Sequence, residues 1–189
     1  VRDCMKDDVI RGYMNQAIYK EIIPTLTLPE EELMSFAASV TDRFQNPFID
    51  HALLSISLNS TAKWKARVLP SLEGYLEKTG QVPPCLSASL AFYLAFYKGI
   101  GFVDATFTGD RNGKNQYPIS DDPKVLEFYD AHKDDSAADY VHAVLSETSF
   151  WGKDLTTLAG LEKTVVKDFT FIQEKGCYEL MKQIVNAAE

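Results

Sequence analysis

The sequence predicts an all-α protein, a single multi-helix bundle over residues 1–189 with one irregular loop or small hairpin at about 99–122. Apolar residues recur at steps of three to four along most of the chain, which is the period of an amphipathic helix. Prolines and glycines divide this pattern into segments of helix length. We find no internal repeat, low-complexity tract or flexible linker, so one domain accounts for the whole length.

Prolines divide the N-terminal part of the chain into helices. A first amphipathic helix, with Met5, Val9 and Tyr13 on its apolar face, is predicted to end before Pro24. A second helix begins at Pro29, where three glutamates in the first turn suit the helix dipole. Its inward stripe is predicted to consist of Leu33, Phe36, Ala37, Val40 and Phe44.

A third helix is predicted to start at Asn46-Pro47, an N-cap followed by a first-turn proline, and to continue to Gly80. Pro70 kinks or divides this helix, because proline removes a helical hydrogen bond. Polar residues four positions apart are predicted to form one row along its surface: His51, Ser55, Asn59, Lys63 and Arg67. Such a row more often faces solvent. Alternatively, it binds a hydroxyl-rich ligand with one carboxylate, which amide, ammonium and guanidinium groups contact well.

The C-terminal half is predicted to contain the most buried helix. Residues 86–97 are apolar on most faces, which is typical of a helix inside the core. The helical period is lost over 99–122, where glycines and a proline punctuate short β-prone pieces. Further helices are expected from Pro123, over 137–145 and, with a break at Gly176, towards the C-terminus.

Composition excludes several classes of function. The formal net charge of -8 argues against nucleic acid or an anionic membrane surface as a partner. No apolar run approaches the roughly 20 residues of a membrane span, and no signal peptide is visible. Cys4, Cys85 and Cys177 have no metal-ligand spacing, so we expect no metal, no disulfide framework and a cytoplasmic protein. The chain begins with Val1 and not with methionine, so we expect it to be a piece of a longer chain.

Motifs for familiar catalytic sites are missing from the sequence. Gly99-Ile100-Gly101 lacks the third glycine of a dinucleotide motif, and no GxSxG, P-loop or HExxH pattern occurs. His132 is predicted to be a solvated helix end, and His142 a partly buried packing residue. Adjacent aspartates such as Asp121-Asp122 are interpreted as caps or solvated charges, since neighbours in a helix do not face each other.

The run RFQNPFIDHALLSISLNSTAKWKARVLP at 43–70 resembles the C-terminal domain of the mannitol dehydrogenase, or polyol-specific long-chain dehydrogenase, family. The pieces LAFYLAFYKG and NGKNQYPISDDPKVLEFY continue this resemblance, which covers essentially the whole chain. The spacing of RFxNPFIxH and LNSxxKxKxRVLP is similar to the hexuronate branch of the family rather than to mannitol dehydrogenase itself. The resemblance implies the fold of the helical C-terminal domain of 6-phosphogluconate-dehydrogenase-like enzymes.

The resemblance also implies an activity, in which an NAD-dependent oxidoreductase reduces tagaturonate to altronate without a catalytic metal. This chain would be the substrate domain, and NAD would bind mainly to a Rossmann-type N-terminal domain upstream of Val1. No lysine here fits the family's Lys-x4-Asn-x2-His acid/base motif, so that motif is also expected upstream. We therefore expect no catalytic residue in this chain and no activity from the chain alone.

Substrate-binding residues are implied by the same resemblance. Lys63 stands where the family has a lysine close to the substrate, and Asn59 and Arg67 lie one helical step to either side. Ser55 stands where mannitol-type enzymes have an arginine, and Ser55 and His51 complete the predicted set. Two alternatives stay open: the same scaffold acting on fructuronate, mannitol or a polyol phosphate, and a freestanding helical interaction domain without catalysis.

Overall fold

The computed structural model describes residues 1–46, 48, 52–111, 113 and 115–187. Helices make up most of this structure, and the predicted all-α class is confirmed. The α-helices are Arg2–Lys6 (α1), Asp8–Gln16 (α2), Glu30–Phe44 (α3), Leu53–Ile56 (α4), Ser60–Arg67 (α5), Leu69–Thr79 (α6), Pro84–Tyr97 (α7), Pro123–Ala131 (α8), Ala137–Ser146 (α9), Thr148–Trp151 (α10), Leu161–Lys175 (α11) and Cys177–Asn186 (α12). A π-helical turn (Ala17–Ile22) follows α2, and 3-10 turns lie at Ile23–Thr25 and Leu155–Thr157. None of the helices within the described ranges has the length and apolar character that crossing a membrane requires.

Helix α7 lies at the centre of the core. Its residues are apolar on nearly every face, so it can be surrounded by other elements on all sides. Leu90, Ala91 and Leu94 are completely buried. Helix α11 packs along α7, and α12 and the π-helical turn also contact it. The predicted buried helix at 86–97 is confirmed, with its start at Pro84.

Aromatic rings join the C-terminal half of α7 to the helices that follow the sheet. The rings of Tyr97 and Tyr129 stack with centroids 4.4 Å apart. Tyr93 meets Trp151 edge-on at 5.8 Å. Aromatic pairs of this geometry contribute about 0.5–1.5 kcal/mol beyond their buried area. Helices α8 and α10 are therefore held to α7 by ring contacts rather than by long apolar stripes.

The predicted excursion at 99–122 is a small antiparallel sheet of three strands. The strands are Gly99–Val103 (β1), Thr106–Arg111 (β2) and Asn115–Pro118 (β3), paired in the order β1-β2-β3. Asp104 and Ala105 form the turn between β1 and β2, both with positive φ. The hairpin prediction is confirmed, and the third strand extends it. Buried side chains on the sheet attach it to the helical core.

The start of α7 depends on a carboxylate from another element. Glu21, in the π-helical turn, is buried and accepts hydrogen bonds from the backbone N–H groups of Cys85 and Leu86, both at 2.7 Å. The first N–H groups of a helix have no partner within the helix, so Glu21 satisfies two of them. Burial raises the pKa of the Glu21 carboxyl. The N-terminal helices are thus tied to the central one.

Helix α3 differs from its prediction. Leu33 and Ala37 are buried against the preceding turns, as expected. Phe36 is 66% exposed and Phe44 37% exposed, so the prediction that both face inward is wrong. The physical reason is that α3 packs mainly on 17–25 among the described residues, which covers a narrow line through Leu33 and Ala37 and leaves out both the flank that carries Phe36 and the C-terminal end.

The predicted third helix is three separate helices, α4, α5 and α6. Asn59 has φ 52, a left-handed conformation that a continuous right-handed helix cannot contain. Val68 separates α5 from α6, with Pro70 in the first turn of α6, so the predicted division near Pro70 is confirmed. The predicted start at Asn46-Pro47 falls on Pro47, which lies outside the described residues. The break at Gly176, between α11 and α12, is confirmed.

Candidate functional site

The structure divides the predicted row of polar residues into parts. Lys63 and Arg67 lie four residues apart on α5 and share one face of it. Asn59 precedes the helix in its left-handed conformation, and Ser55 is exposed on the separate helix α4. His51 lies outside the described residues. The prediction of a single row along one helix is therefore wrong, because the four-residue spacing requires an unbroken helix.

Helix α5 packs on the core through two side chains and carries three cations. Thr61 and Trp64, three residues apart, are its buried side chains. The Trp64 ring meets Trp151 edge-on with centroids 5.5 Å apart, which anchors α5 against α10. Side chains four residues apart share a face, so Lys63 and Arg67 lie together outside this anchor, with Lys63 half-buried and Arg67 exposed. The packing of α5 thus sets the direction of both cations.

Polar groups along α5 have donors that no described residue uses. The half-buried Lys63 donates from Nζ to the carbonyl of Ile56 at 2.9 Å, which ties α5 to the end of α4. An ammonium group has three donors, so two remain. Arg67 is exposed, and no described residue hydrogen-bonds to its guanidinium. The Asn59 amide does not cap the helix, which leaves its donor and acceptor unused there.

Asp121 holds the start of α5 in place from outside the helix. Its Oδ2 accepts from the backbone N–H of Thr61 at 3.2 Å and from Thr61 Oγ1 at 2.9 Å. Tyr97 donates its hydroxyl to the same oxygen. The backbone N–H of Asn59 donates to the carbonyl of Ser120 at 3.0 Å. Asp121 therefore replaces the N-cap that left-handed Asn59 does not supply, so the interpretation of Asp121 as a cap is confirmed, although the helix it caps is about 60 residues away in the chain.

Buried hydroxyl groups extend this network into the core. Thr61 Oγ1 lies 2.7 Å from the Tyr93 hydroxyl, which lies 2.7 Å from the hydroxyl of Tyr129. Burial raises the pKa of both Tyr93 and Tyr97, so both hydroxyls stay protonated. The sequence reasoning missed this network. Its one visible signal was the four-residue spacing of Tyr93 and Tyr97 on an otherwise apolar helix, which places two hydroxyls on one face.

The described histidines lie outside this site. His132 is half-buried at the end of α8, with Nδ1 2.6 Å from Asp135 Oδ2, so it is a helix end held by a side-chain contact and not a fully solvated one. The His142 side chain is 62% exposed, with Nδ1 2.7 Å from Glu162 Oε1. The predicted packing role of His142 is wrong, because the buried face of α9 is formed by other residues. Asp122 caps α8 through the N–H of Lys124, as predicted for the aspartate pairs.

The described residues do not form a dinucleotide-binding fold. Their sheet is antiparallel, whereas NAD folds place a glycine-rich turn between a parallel strand and a helix. A Cβ on Gly99 would lie 2.2 Å from the carbonyl oxygen of Thr108, and one on Gly101 would lie 2.2 Å from Asp130 Oδ1. Both glycines therefore serve close packing rather than phosphate binding. Within the described part of the chain, no group of three or more His, Cys, Asp or Glu residues is placed to hold a metal ion.

Comparison with known proteins identifies the family. The family described as mannitol dehydrogenase C-terminal domain matches residues 1–173, so this chain belongs to that family. The altronate oxidoreductase of Enterobacter sp. (strain 638) is 40% identical over 190 positions, which cover 97% of this chain and 37% of the relative. That of Yersinia enterocolitica is 40% identical over 182 positions, covering 93% and 35%. The chain thus spans little more than a third of the length of these relatives.

A solved structure shares the fold. The mannitol 2-dehydrogenase of Pseudomonas fluorescens, in ternary complex with NAD and D-mannitol, superposes with a TM-score of 0.81 at 19% sequence identity. The match covers 98% of this chain and 35% of that one. The fold expected from the resemblance, that of the mannitol dehydrogenase C-terminal domain, is confirmed.

Proposed function

We propose that this chain is the substrate-binding C-terminal domain of an NAD-dependent oxidoreductase that reduces tagaturonate to altronate. The observation that carries the proposal is the 40% identity to altronate oxidoreductases over nearly the whole chain. Because those relatives are almost three times as long, the proposal includes a Rossmann-type domain upstream. That domain would bind NAD and carry the Lys-x4-Asn-x2-His acid/base motif, for which this chain has no match.

In this proposal, Lys63 and Arg67 hold the carboxylate of the sugar acid. Two cations on one exposed face of α5 attract an anion, and a guanidinium pairs with a carboxylate through two parallel hydrogen bonds. The Asn59 amide donates to and accepts from the hydroxyl groups of the substrate. Ser55, on α4, and His51 complete the proposed set. Hydride transfer belongs to the cofactor, so this chain contributes binding and orientation of the substrate.

Replacing Lys63 with alanine in the full-length protein tests the role of its ammonium group. A hydrogen bond to a charged group contributes about 1.5–3 kcal/mol, so we expect kcat/KM for tagaturonate to fall about 10- to 100-fold. NADH binding should stay unchanged, because the cofactor site is assigned to the other domain. Steady-state kinetics and NADH fluorescence titration measure these two quantities.

Lys65→Ala is the matched control, because Lys65 is the same residue type two positions along and lies beside Gly152 instead. Asn59→Gly is a useful companion, since glycine adopts the left-handed conformation and the variant loses only the amide. Equal losses in Lys63→Ala and Lys65→Ala would contradict the proposal.

A substrate panel distinguishes tagaturonate from the rival substrates. If Lys63 and Arg67 bind a carboxylate, Lys63→Ala should impair turnover of uronates and leave any turnover of mannitol nearly unchanged. If the wild type turns over fructuronate, mannitol or a polyol phosphate faster than tagaturonate, that compound becomes the proposed substrate. The reading frame upstream of the Val1 codon tests the other alternative, a freestanding interaction domain. An enzyme requires a dinucleotide-binding segment there, whereas an interaction domain does not.

A further inference from the structure

The carboxylate of Asp121 is bound by uncharged donors on both of its oxygens. Its Oδ2 accepts from the backbone N–H and the hydroxyl of Thr61 and from the Tyr97 hydroxyl. Its Oδ1 accepts from the backbone N–H of Asp122 at 2.8 Å. The salt bridges formed among the described residues do not include Asp121. This carboxylate therefore holds the fold together at the start of α5 and is not half of a surface ion pair.

The buried hydroxyl groups beside Asp121 donate towards it in one direction. A carboxylate only accepts, so Thr61 Oγ1 gives its single proton to Asp121. The Tyr93 hydroxyl, 2.7 Å from Thr61 Oγ1, must then donate to Thr61. The Tyr129 hydroxyl, 2.7 Å from that of Tyr93, donates to Tyr93 in turn. The order of these bonds thus depends on an acceptor without a proton at position 121.

The segment that carries Asp121 is fixed on both sides. Ile119 is 3% exposed and donates its backbone N–H to the carbonyl of Phe107 at 2.8 Å, which attaches it to β2. Asp122 caps α8 through the N–H of Lys124 at 2.9 Å. Asp121 therefore has a set position between the sheet and α8, from which it can hold a neighbouring helix in place.

Residues 120–121 bind the start of α5 at two points. The N–H of Asn59 donates to the carbonyl of residue 120 at 3.0 Å, and Asp121 binds Thr61. Lys63 donates its own backbone N–H to the Asn59 carbonyl at 3.3 Å, so it belongs to the turn that these contacts fix. A helix of eight residues without a side-chain cap of its own is unstable in isolation. Asp121 thus sets where Lys63 stands relative to Asn59.

We infer that Asp121 is a positioning residue for the substrate site, which holds the first turn of α5 so that Lys63 and Asn59 meet the sugar acid together. The inference rests on the proposed function, since that function assigns the substrate to those two residues. The apparent affinity of a ligand falls with the population of the binding-competent state. Loosening the first turn of α5 therefore weakens substrate binding and leaves the chemistry of the bound complex unchanged.

Asp121→Asn in the full-length protein tests the inference. An amide has one acceptor oxygen and adds N–H donors, so one side of the residue then faces a donor with a donor. If the first turn of α5 stays ordered in about a tenth of the molecules, KM for tagaturonate should rise about tenfold, with kcat within about twofold of the wild type. Asp122→Asn is the matched control, because asparagine caps a helix as well as aspartate does, and it should change neither constant.

Three further variants separate positioning from a general loss of stability. In a Lys63→Ala background, Asp121→Asn should raise KM by no more than about threefold, because the cation that it positions is gone. Thr61→Ser keeps the hydroxyl that donates to Asp121 and should keep the KM of the wild type. Glu21→Gln removes a buried hydrogen bond at the opposite end of α7 and should also leave KM unchanged.

Equal KM values in Asp121→Asn and Asp122→Asn would overturn the inference. A rise in KM of the same size with and without Lys63 would also overturn it, because Asp121 would then act through something else. A wild type that turns over fructuronate or mannitol and not tagaturonate would contradict the proposed substrate, and the same variants measured with that compound would decide the role of Asp121. Failure of the proposed function is thus seen in the wild type, and failure of the inference in the variants.

Discussion

At the scale of single residues, Glu21 connects the N-terminal helices to the centre of the molecule. Its two carboxylate oxygens accept from the N–H groups of Cys85 and Leu86, and the side chain is shielded from water. Burial raises the pKa of this carboxyl above its ordinary value of 4.5, although both hydrogen bonds favour the charged form. One side chain therefore determines both the start of α7 and part of the dependence of stability on pH.

Glu21→Gln should lower the free energy of unfolding by about 1–3 kcal/mol, because an amide offers one acceptor and leaves the second N–H without a partner. The folded state of the wild type holds the Glu21 proton more tightly than the unfolded state. The stabilisation from that proton is complete below pH 4.5 and is lost as the pH rises through the folded pKa. Glutamine does not titrate, so the stability difference between wild type and variant should shrink over that window.

Urea unfolding at a series of pH values measures this difference. Glu31→Gln, at an exposed position of α3, is the control and should change the stability little at any pH. A difference between wild type and Glu21→Gln that grows with pH would contradict the assignment of the raised pKa.

At the scale of elements, α5 is a short helix whose position is imposed by its neighbours. Eight residues are too few for a stable isolated helix, so tertiary contacts must hold it. Asp121 caps its N-terminal end, and Trp64 fixes its inner face. These contacts place Lys63 and Arg67, and they come from the segment after the sheet and from α10. The segment after the sheet therefore helps to position the candidate site, although the cations of the site all lie on α5.

Thr61→Val should destabilise the protein by about 1–3 kcal/mol, because valine has the same shape and removes a buried hydroxyl bonded to Asp121 and Tyr93. Thermal or urea unfolding measures the loss. Thr164→Val is the matched control, since the exposed Thr164 hydroxyl bonds only to a carbonyl of its own helix. Similar losses in both variants would show that the hydrogen bonds of Thr61 contribute no more to stability than those of an exposed hydroxyl.

At the scale of the whole molecule, most large apolar side chains lie either in one core or in one exposed stretch of the chain. The core surrounds α7 and includes residues from α2 to α12. A smaller cluster of Ile23, Leu33 and Ala37 attaches α3. The remaining large apolar side chains of α3 and α4 stay in water in this chain. The large apolar side chains are thus buried around the centre of the molecule and exposed beside the candidate site.

Two Leu→Ala substitutions in the 189-residue chain compare these regions. Leu90→Ala should cost about 2–5 kcal/mol, because Leu90 is fully buried in α7 and its loss leaves a cavity. Leu58→Ala should change stability by no more than about 0.5 kcal/mol, because Leu58, in the turn between α4 and α5, is 48% exposed. Urea unfolding measures both losses, and a large loss in Leu58→Ala would contradict the exposure of the Leu58 side chain.

The positions of most helices could be predicted because they depend on local patterns. Apolar periodicity, prolines and glycines act within a few residues, and α7 was recognisable as buried because it is apolar on all sides. The stripe of α3 was only half predictable, since periodicity shows which residues share a face and not how far a neighbour covers it. Family membership was recognised from the run at 43–70, and the comparisons confirm it.

The sequence by itself thus determined the helical class, the buried helix, the excursion at 99–122 and the family. Only the tertiary structure decided the shape of the candidate site. The break at Asn59 arises where Ser120 and Asp121 bind the start of α5, and those partners lie about 60 residues away in the chain. Spacing along a sequence describes one continuous helix, whereas contacts between distant segments decide where a helix starts. For this reason Lys63 and Arg67 share a face, while Ser55 and Asn59 lie outside their helix.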